Sequence, residues 1–173
     1  MENSFDNPAN NIFLNRSASE LTFLSDIEIA DIPNFKRLTD YLNSITEPGK
    51  FPDRRSVHPS KMTDLLPDLY ILDIIRDEGE PVDFILRLMG TNVARFYGEH
   101  SGESIQAIEN KEAVKRIETC ANKTLAEKRN IAVSVSALSS DQQHLQVSVL
   151  YCPLAKEDQI INQLIGLAAV RMG

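Results

Sequence analysis

Apolar residues recur at two different spacings along this chain, and the change of spacing predicts where helices and strands lie. Between positions 35 and 45 an apolar residue returns every three or four positions, with charged and amide side chains between them. That period places one apolar stripe on a helix. We expect Asp31 to cap this helix and Pro33 to open it, since both suit a helix start. The Glu-Pro-Gly run at 47–49 ends it.

Two shorter helices are predicted in the middle of the chain. Residues 60–66 lie between Pro59 and Pro67, and prolines are tolerated at a helix start but break a helix interior. We expect Thr91 to cap a second short helix through its hydroxyl, and Gly98 to end that helix.

Strand patterns occur before and after these helices. A β-branched run at 70–76 and an alternating run at 82–89 are separated by an acidic, glycine-containing turn, which predicts an antiparallel hairpin. Strict alternation returns at 131–135 and 145–151, which predicts two antiparallel neighbours joined near 139–143. The last run, 161–172, is apolar on both faces and is therefore expected in the centre of a sheet.

A long amphipathic helix is predicted at 110–129, between the hairpin and the last three strands. The chain has 173 residues, a length that fits one domain with its own core. We expect residues 1–30 to form a partly flexible N-terminal extension, because the first part is rich in Asn and Ser. Residues 31–173 are predicted to form the single domain, with the amphipathic helix at its start.

Charge and hydropathy exclude several classes of partner. The formal net charge is −7, whereas binding to nucleic acid or to an anionic membrane needs a basic face. No apolar run approaches the ~20 residues that span a bilayer, and the polar N-terminus does not resemble a signal peptide. We therefore expect a cytoplasmic protein that has no membrane span and binds no nucleic acid.

Cysteine and histidine residues do not form a recognisable metal motif. Cys120 and Cys152 are far apart in sequence and lack a C-x-x-C spacing, so reduced thiols in the core are expected. His58, His100 and His144 fall in three separate segments without metal-ligand spacing. No metal site is predicted.

A series of short motifs carries a resemblance to a known family. The chain resembles bacterial PAS-like sensor domains over about positions 35–172, with the specific motifs in the first part of that span. His58 departs from the pattern, since an acidic residue is expected before the following proline. The motifs are Phe-Pro-Asp-Arg at 51–54, Pro59, Leu-Leu-Pro at 65–67, Arg-Leu-Met-Gly-Thr at 87–91, Tyr-Gly at 97–98 and Ser-Gly at 101–102.

The resemblance implies an α+β fold, a PAS-like five-stranded antiparallel sheet with helices on one face. It also implies a non-catalytic sensory or protein-interaction module in bacterial signal transduction, which senses a small molecule, binds a partner through a dimer, or does both. The implied partners are a second copy of the chain and a signalling protein such as a histidine kinase. The helix at 35–45 is one candidate surface for pairing with a second copy. Packing of that helix on its own sheet is an equal alternative, and pairing would then use another surface.

Three polar residues of the motifs are candidate ligand-binding residues, namely Arg54, Arg87 and Tyr97. Each has a structural alternative. Arg54 suits hydrogen bonding to loop carbonyls, Arg87 suits a solvated or ion-paired position on a strand, and Tyr97 suits a packed ring with its hydroxyl at the surface.

No cofactor is predicted, although an unidentified small ligand remains open. The predicted helix at 110–129 contains no histidine to ligate haem, and the Asn-Cys-Arg motif of flavin photosensors of this fold is missing. The enzymatic alternative is a cone-shaped α+β isomerase or dehydratase, which needs a buried acid facing a second catalytic group. Asp73 and Asp83 are the strand acids, and their alternation predicts solvent exposure without a partner.

Overall fold

The computed structural model describes residues 21–138 and 144–172, so the predicted loop at 139–143 lies outside the described part. Helices and strands follow in one order along the chain. Their bounds are β1 Thr22–Phe23, α1 Asp26–Ala30, α2 Pro33–Ser44, β2 Leu69–Asp77, β3 Glu80–Met89, α3 Thr91–Tyr97, α4 Lys111–Glu127, β4 Ile131–Leu138, β5 His144–Ala155 and β6 Ile161–Met172, with 3₁₀ turns at Arg54–Ser56, Pro59–Lys61, Leu66–Asp68 and Ile105–Ala107.

All the strands join one antiparallel sheet in the order β1-β4-β5-β6-β2-β3. The last strand, β6, lies between β5 and β2, which confirms its predicted central place. Its apolar residues face a packed layer on each side, and this explains why its sequence lacks alternation.

Two apolar cores lie on opposite faces of this sheet. The inner core lies between the sheet and the helices α3 and α4, and the outer core lies between the other face and α1, α2 and the 3₁₀ turns. On β2, Tyr70 and Leu72 belong to the inner core while Leu69 and Ile71 belong to the outer core. Because side chains alternate between the two faces of a strand, β2 contributes residues to both cores.

The sheet differs from the expected one in two respects. It has six strands instead of five, because β1 pairs with β4 through Thr22 and Phe23, a segment too short to show a period in sequence. Helices also cover both faces instead of one. Phe35 and Leu38 of α2 are fully buried in the outer core, so the apolar stripe of α2 packs on its own sheet.

Residues 21–30, which the sequence analysis assigned to the N-terminal extension, form β1 and α1. Ser25 and Glu28 make a capping box, in which the Ser25 hydroxyl accepts from the Glu28 amide at 3.3 Å and the Glu28 carboxylate accepts from the Ser25 amide at 3.0 Å. Ile29 is buried in the outer core. The Ser-x-x-Glu spacing was therefore the sequence signal for this helix.

Three predicted helix starts need correction. Asp31 ends α1, and the residue that precedes α2 is Ile32, which has no side-chain hydrogen bond to the helix. Thr91 is the first residue of α3 and does not cap it, since Gly90 holds the cap position. The predicted helix at 60–66 is replaced by two 3₁₀ turns, Pro59–Lys61 and Leu66–Asp68, each with a proline in its first two positions.

The predicted hairpin of β2 and β3 is confirmed, with two changes of register, one at Ile75–Arg76 and one at Ile71–Leu72. Ile71 pairs with Leu88 while Leu72 pairs with Leu86, which leaves Arg87 as the extra residue of a β-bulge. The bulge turns Leu88 to the outer core, although strict alternation predicted it beside Phe84 and Leu86 in the inner core. This displaced leucine becomes part of the surface groove described below.

Candidate functional site

Arg54 lies in the first 3₁₀ turn and is half-buried. Asp53 caps that turn by accepting from the Arg55 amide at 2.8 Å and also binds the Arg55 guanidinium. Arg54 Nη1 donates to the carbonyl of Val57 at 3.2 Å, which is the loop contact anticipated as its structural alternative. Within the described part of the chain, no carboxylate lies within salt-bridge distance of Arg54.

Arg87 forms an ion pair with Asp73 across the hairpin. Its Nε and Nη2 atoms lie 2.7 and 2.6 Å from Asp73 Oδ2, and the Arg87 side chain is 66% exposed. Asp73 Oδ1 also accepts from Gln163 at 2.6 Å. The expectation that Asp73 has no partner was therefore wrong, since its side chain is 16% exposed and held from two sides.

The second strand acid, Asp83, also has structural partners. Its Oδ1 accepts from the Ser104 hydroxyl at 2.9 Å and from the Phe84 amide at 2.8 Å. These contacts join β3 to the segment before the last 3₁₀ turn, where Leu86 and Glu103 also share a backbone hydrogen bond of 2.8 Å. Neither Asp73 nor Asp83 lines the inner-core cavity described next.

Tyr97 ends α3 and lines a small cavity in the inner core. The cavity measures about 20 Å³, which is room for about one water molecule. Its lining is apolar, Tyr97 is partly buried against the inner core, and burial raises the pKa of Tyr97 to about 12. The lining residues are Tyr70, Leu72, Leu86, Val93, Tyr97, Ile117, Val149, Tyr151 and Ala168.

A buried polar cluster beside this cavity was missed by the sequence analysis. Arg116 of α4 is 6% exposed, and burial lowers its pKa while the nearby Tyr97 acts in the opposite direction. Burial raises the pKa of Cys120 to about 12, against an opposing hydrogen bond with Tyr151. Position 116 falls on the helical stripe between Ala113 and Cys120, and this placement was the available signal.

Tyr70 fixes the inner core to the sheet backbone. Its hydroxyl donates to the Leu150 carbonyl at 2.5 Å, and its ring meets the ring of Tyr151 edge-on at 5.6 Å between centroids. Gly166 leaves the space for this contact, since a Cβ there would lie 2.6 Å from Tyr70 Cζ and even closer to the Leu150 oxygen. The hydrogen bond therefore requires glycine at position 166.

The buried tyrosines predict a loss of stability at high pH. A phenol whose folded pKa is raised contributes stability that is present below its unfolded pKa of about 10 and is lost as pH rises through the folded value. For Tyr97 that window runs from about 10 to about 12. We expect the urea midpoint to fall between pH 9 and pH 11, and Tyr97→Phe to show a shallower fall. Equal slopes in the two proteins would contradict this.

Four of the six family motifs contribute residues to one groove at the protein surface, which we call the signature groove. Its volume is about 430 Å³ and its walls are mostly apolar. Gly90 permits the close approach of two motifs, because a Cβ there would collide with the backbone of Leu66 and Pro67. The lining residues are Arg54, Val57, Pro59, Met62, Thr63, Leu66, Pro67, Leu69, Ile71, Leu88, Met89, Gly90, Thr91 and Ile165.

The three candidate ligand residues lie in three different places. Arg54 lines the signature groove, Tyr97 lines the inner-core cavity, and Arg87 lies on the sheet surface with Asp73. The structure does not bring them together as one site. The three residues are grouped only by the order of the motifs along the chain. The bulge at Arg87 and the turn of α3 separate their side chains.

The described residues contain no cluster of three potential metal ligands. Cys120 belongs to the inner core and Cys152 to the outer core, and both are free thiols. Among the helices that the structure describes, none has the length and apolar character needed to cross a bilayer.

Comparison with known proteins places this architecture in a family. A family profile described as PAS domain matches residues 31–169. The search among curated proteins gave no match. Similar solved structures include the PAS domain of a protein from Colwellia psychrerythraea, with 10% identity, a TM-score of 0.42, and coverage of 65% of this chain and 96% of that one.

A second similar structure is an RNA-binding light-oxygen-voltage receptor, with 11% identity and a TM-score of 0.44. It covers 72% of this chain, which spans 35% of that receptor. The predicted PAS-like α+β fold is confirmed, since the profile covers most of the chain and the sheet is antiparallel with helices packed on it. The chain belongs to the PAS domain family.

Proposed function

We propose that this chain is a non-catalytic sensory module of bacterial signal transduction that recognises a small molecule in the signature groove. The observation that carries the proposal is the contrast between two cavities. The inner-core cavity holds about 20 Å³, whereas the signature groove holds about 430 Å³. Sites for small ligands commonly measure about 300–1,000 Å³ and have mostly apolar walls. The groove meets both conditions, whereas clefts of similar volume beside Arg95 and beside Lys156 are lined by more polar and charged side chains.

The candidate residues take different parts in this proposal. Arg54 contacts the ligand directly because it lines the groove. Arg87 adjoins Leu88 of the groove, and an anionic group would have to compete there with Asp73 for its exposed guanidinium. Tyr97 would contact a ligand only if the inner-core cavity expanded.

The same volumes support a module without haem or flavin, because neither group fits in a space for one water molecule. The contacts of the strand acids support a module without catalysis. Asp73 is held by Arg87 and Gln163, and Asp83 by Ser104. A general acid or base needs a free proton-transfer position beside its substrate.

The response is proposed to pass to a second copy of the chain and then to a signalling protein such as a histidine kinase. The apolar stripe of α2 is buried on its own sheet, so another surface must serve for pairing. Phe23 and Ile27 are 41% and 76% exposed, and one edge of β1 pairs with no strand among the described residues. An open strand edge flanked by apolar side chains suits pairing with a second copy.

Filling the groove is the test of this function. Thr63 is exposed and lines the groove, so Thr63→Trp should obstruct it while leaving the core intact. We expect small organic molecules to raise the melting temperature of the wild type and to lose at least about tenfold in affinity for Thr63→Trp. Sedimentation velocity measures whether the same molecules shift the monomer and dimer populations.

Thr119→Trp is the matched control, because Thr119 is exposed on α4 and lies outside the groove lining. It should bind as the wild type does. A purified protein that absorbs visible light, or molecules that bind Thr63→Trp and wild type equally, would refute recognition in the groove.

A further inference from the structure

The signature groove combines apolar walls with Arg54, beside which no carboxylate lies within salt-bridge distance among the described residues. Three exposed arginines lie beside acids, Arg37 beside Asp64, Arg55 beside Asp53 and Arg87 beside Asp73. The half-buried Arg76, like Arg54, has no acid within salt-bridge distance among the described residues. Arg54 is more buried than these exposed side chains, yet its hydrogen bond goes to a neutral carbonyl, that of Val57.

A half-buried guanidinium loses part of its hydration, and a carboxylate usually compensates this loss. The guanidinium carries five N–H donors, of which the Val57 contact uses one. Arg54 can therefore still receive an anionic group from a ligand in the groove that it lines. The planar fork of donors fits a carboxylate in a bidentate pair.

The apolar side chains that form the other walls of the groove favour a ligand with an apolar body. Ile71, Leu88 and Ile165 belong to the sheet side of the groove, and Met62 and Leu66 belong to the loop side. Leu66 and Leu88 are the partly exposed side chains among them, and an aliphatic or aromatic body gains free energy by covering these two. A peptide in extended conformation would leave backbone N–H and C=O groups unpaired against them, which is costly.

We propose that the signature groove binds a small amphipathic monocarboxylate, with the carboxylate on Arg54 and the apolar body against the outer-core side chains. This rests on the function proposed above and adds the chemical class of the ligand. The net charge of −7 gives such an anion no long-range attraction. Recognition therefore depends on the local pair with Arg54, and other anions without an apolar body gain little here.

The test is calorimetric titration of the full protein chain with pentanoate, octanoate and phenylacetate. The comparison ligands are 1-octanol and octylamine, which keep the alkyl group of octanoate and replace its carboxylate. We expect at least one carboxylate to bind and the alcohol and amine to bind at least about tenfold more weakly. Arg54→Gln should weaken the carboxylate by about ten- to a hundredfold, as expected for a lost hydrogen-bonded charge pair. The affinity of Arg54→Lys should lie between those of the wild type and Arg54→Gln, because lysine keeps the charge but lacks the planar pair of N–H donors.

Arg55→Gln is the matched control, because its guanidinium is exposed and already paired with Asp53. It should leave the affinity unchanged. The proposal is overturned if none of the three carboxylates binds, if octanol binds as tightly as octanoate, or if Arg54→Gln binds as the wild type does. If Thr63→Trp still abolishes the binding of another molecule or of a peptide partner, the groove remains the sensory site and only the carboxylate assignment fails.

Discussion

Gly166→Ala is expected to lower the free energy of unfolding by about 3 kcal/mol or more. Gly166 lies on the central strand β6 opposite Tyr151 of β5, and a Cβ there would press on the Leu150 carbonyl and the Tyr70 ring. The methyl group therefore both overpacks the inner core and breaks the hydrogen bond between Tyr70 and Leu150. The sheet backbone cannot retreat, because β6 is paired on both sides.

Thermal unfolding followed by circular dichroism measures this effect, and a loss of about 3 kcal/mol corresponds to about 6–12 °C for a domain of this size. Tyr70→Phe separates the two causes, since it removes the hydrogen bond and keeps the ring. We expect Tyr70→Phe to cost about 1–2 kcal/mol. A Gly166→Ala protein that melts with the wild type would mean that the close approach of Tyr70 to β6 is wrong.

Phe35→Ala is expected to cost about 3–5 kcal/mol, which is a large part of the stability of an ordinary domain. Phe35 is fully buried in the outer core between α2 and the sheet. Its removal leaves a cavity that the neighbouring Leu38 and Ile165, themselves fully buried, cannot fill without moving the helix. The effect follows from α2 being an integral layer of the domain.

Lys36→Ala is the neighbouring control, because Lys36 is exposed and pairs only with Asp40 within the same helix. It should change stability by less than about 0.5 kcal/mol. If α2 instead served as a detachable pairing helix, Phe35→Ala would alter the dimer population and leave the unfolding of the monomer nearly unchanged. Chemical denaturation and sedimentation velocity on the same samples distinguish the two cases.

Local pattern was enough to predict most elements, because hydrophobic period reports which face of an element is buried. The hairpin of β2 and β3, the long helix α4 and the central place of β6 were all recognised in this way. Cap positions were less predictable. Asp31 and Thr91 have suitable side chains for capping, but the path of the chain placed Ile32 and Gly90 at those positions.

The candidate site was predictable only in its parts. The motif containing Arg54 and the motif containing Gly90 are 36 positions apart in the chain, and sequence alone does not state that they meet. They meet because Gly90 lacks a side chain where the Leu66 and Pro67 backbone crosses it, and because a bulge turns Leu88 outward. A one-residue bulge reverses the face of every following side chain, and no period detects it beforehand.

By itself, then, the sequence determined the antiparallel α+β domain, the order of its elements from β2 to β6 and the motifs of its family, since these depend on local propensity and burial. The tertiary structure alone decided that α2 covers the second face of the sheet and that the inner core is filled around Tyr70, Tyr97 and Tyr151. It also decided that Arg54, and not Arg87 or Tyr97, lines the open groove. These outcomes depend on contacts between residues far apart in the chain, which packing settles and periodicity does not.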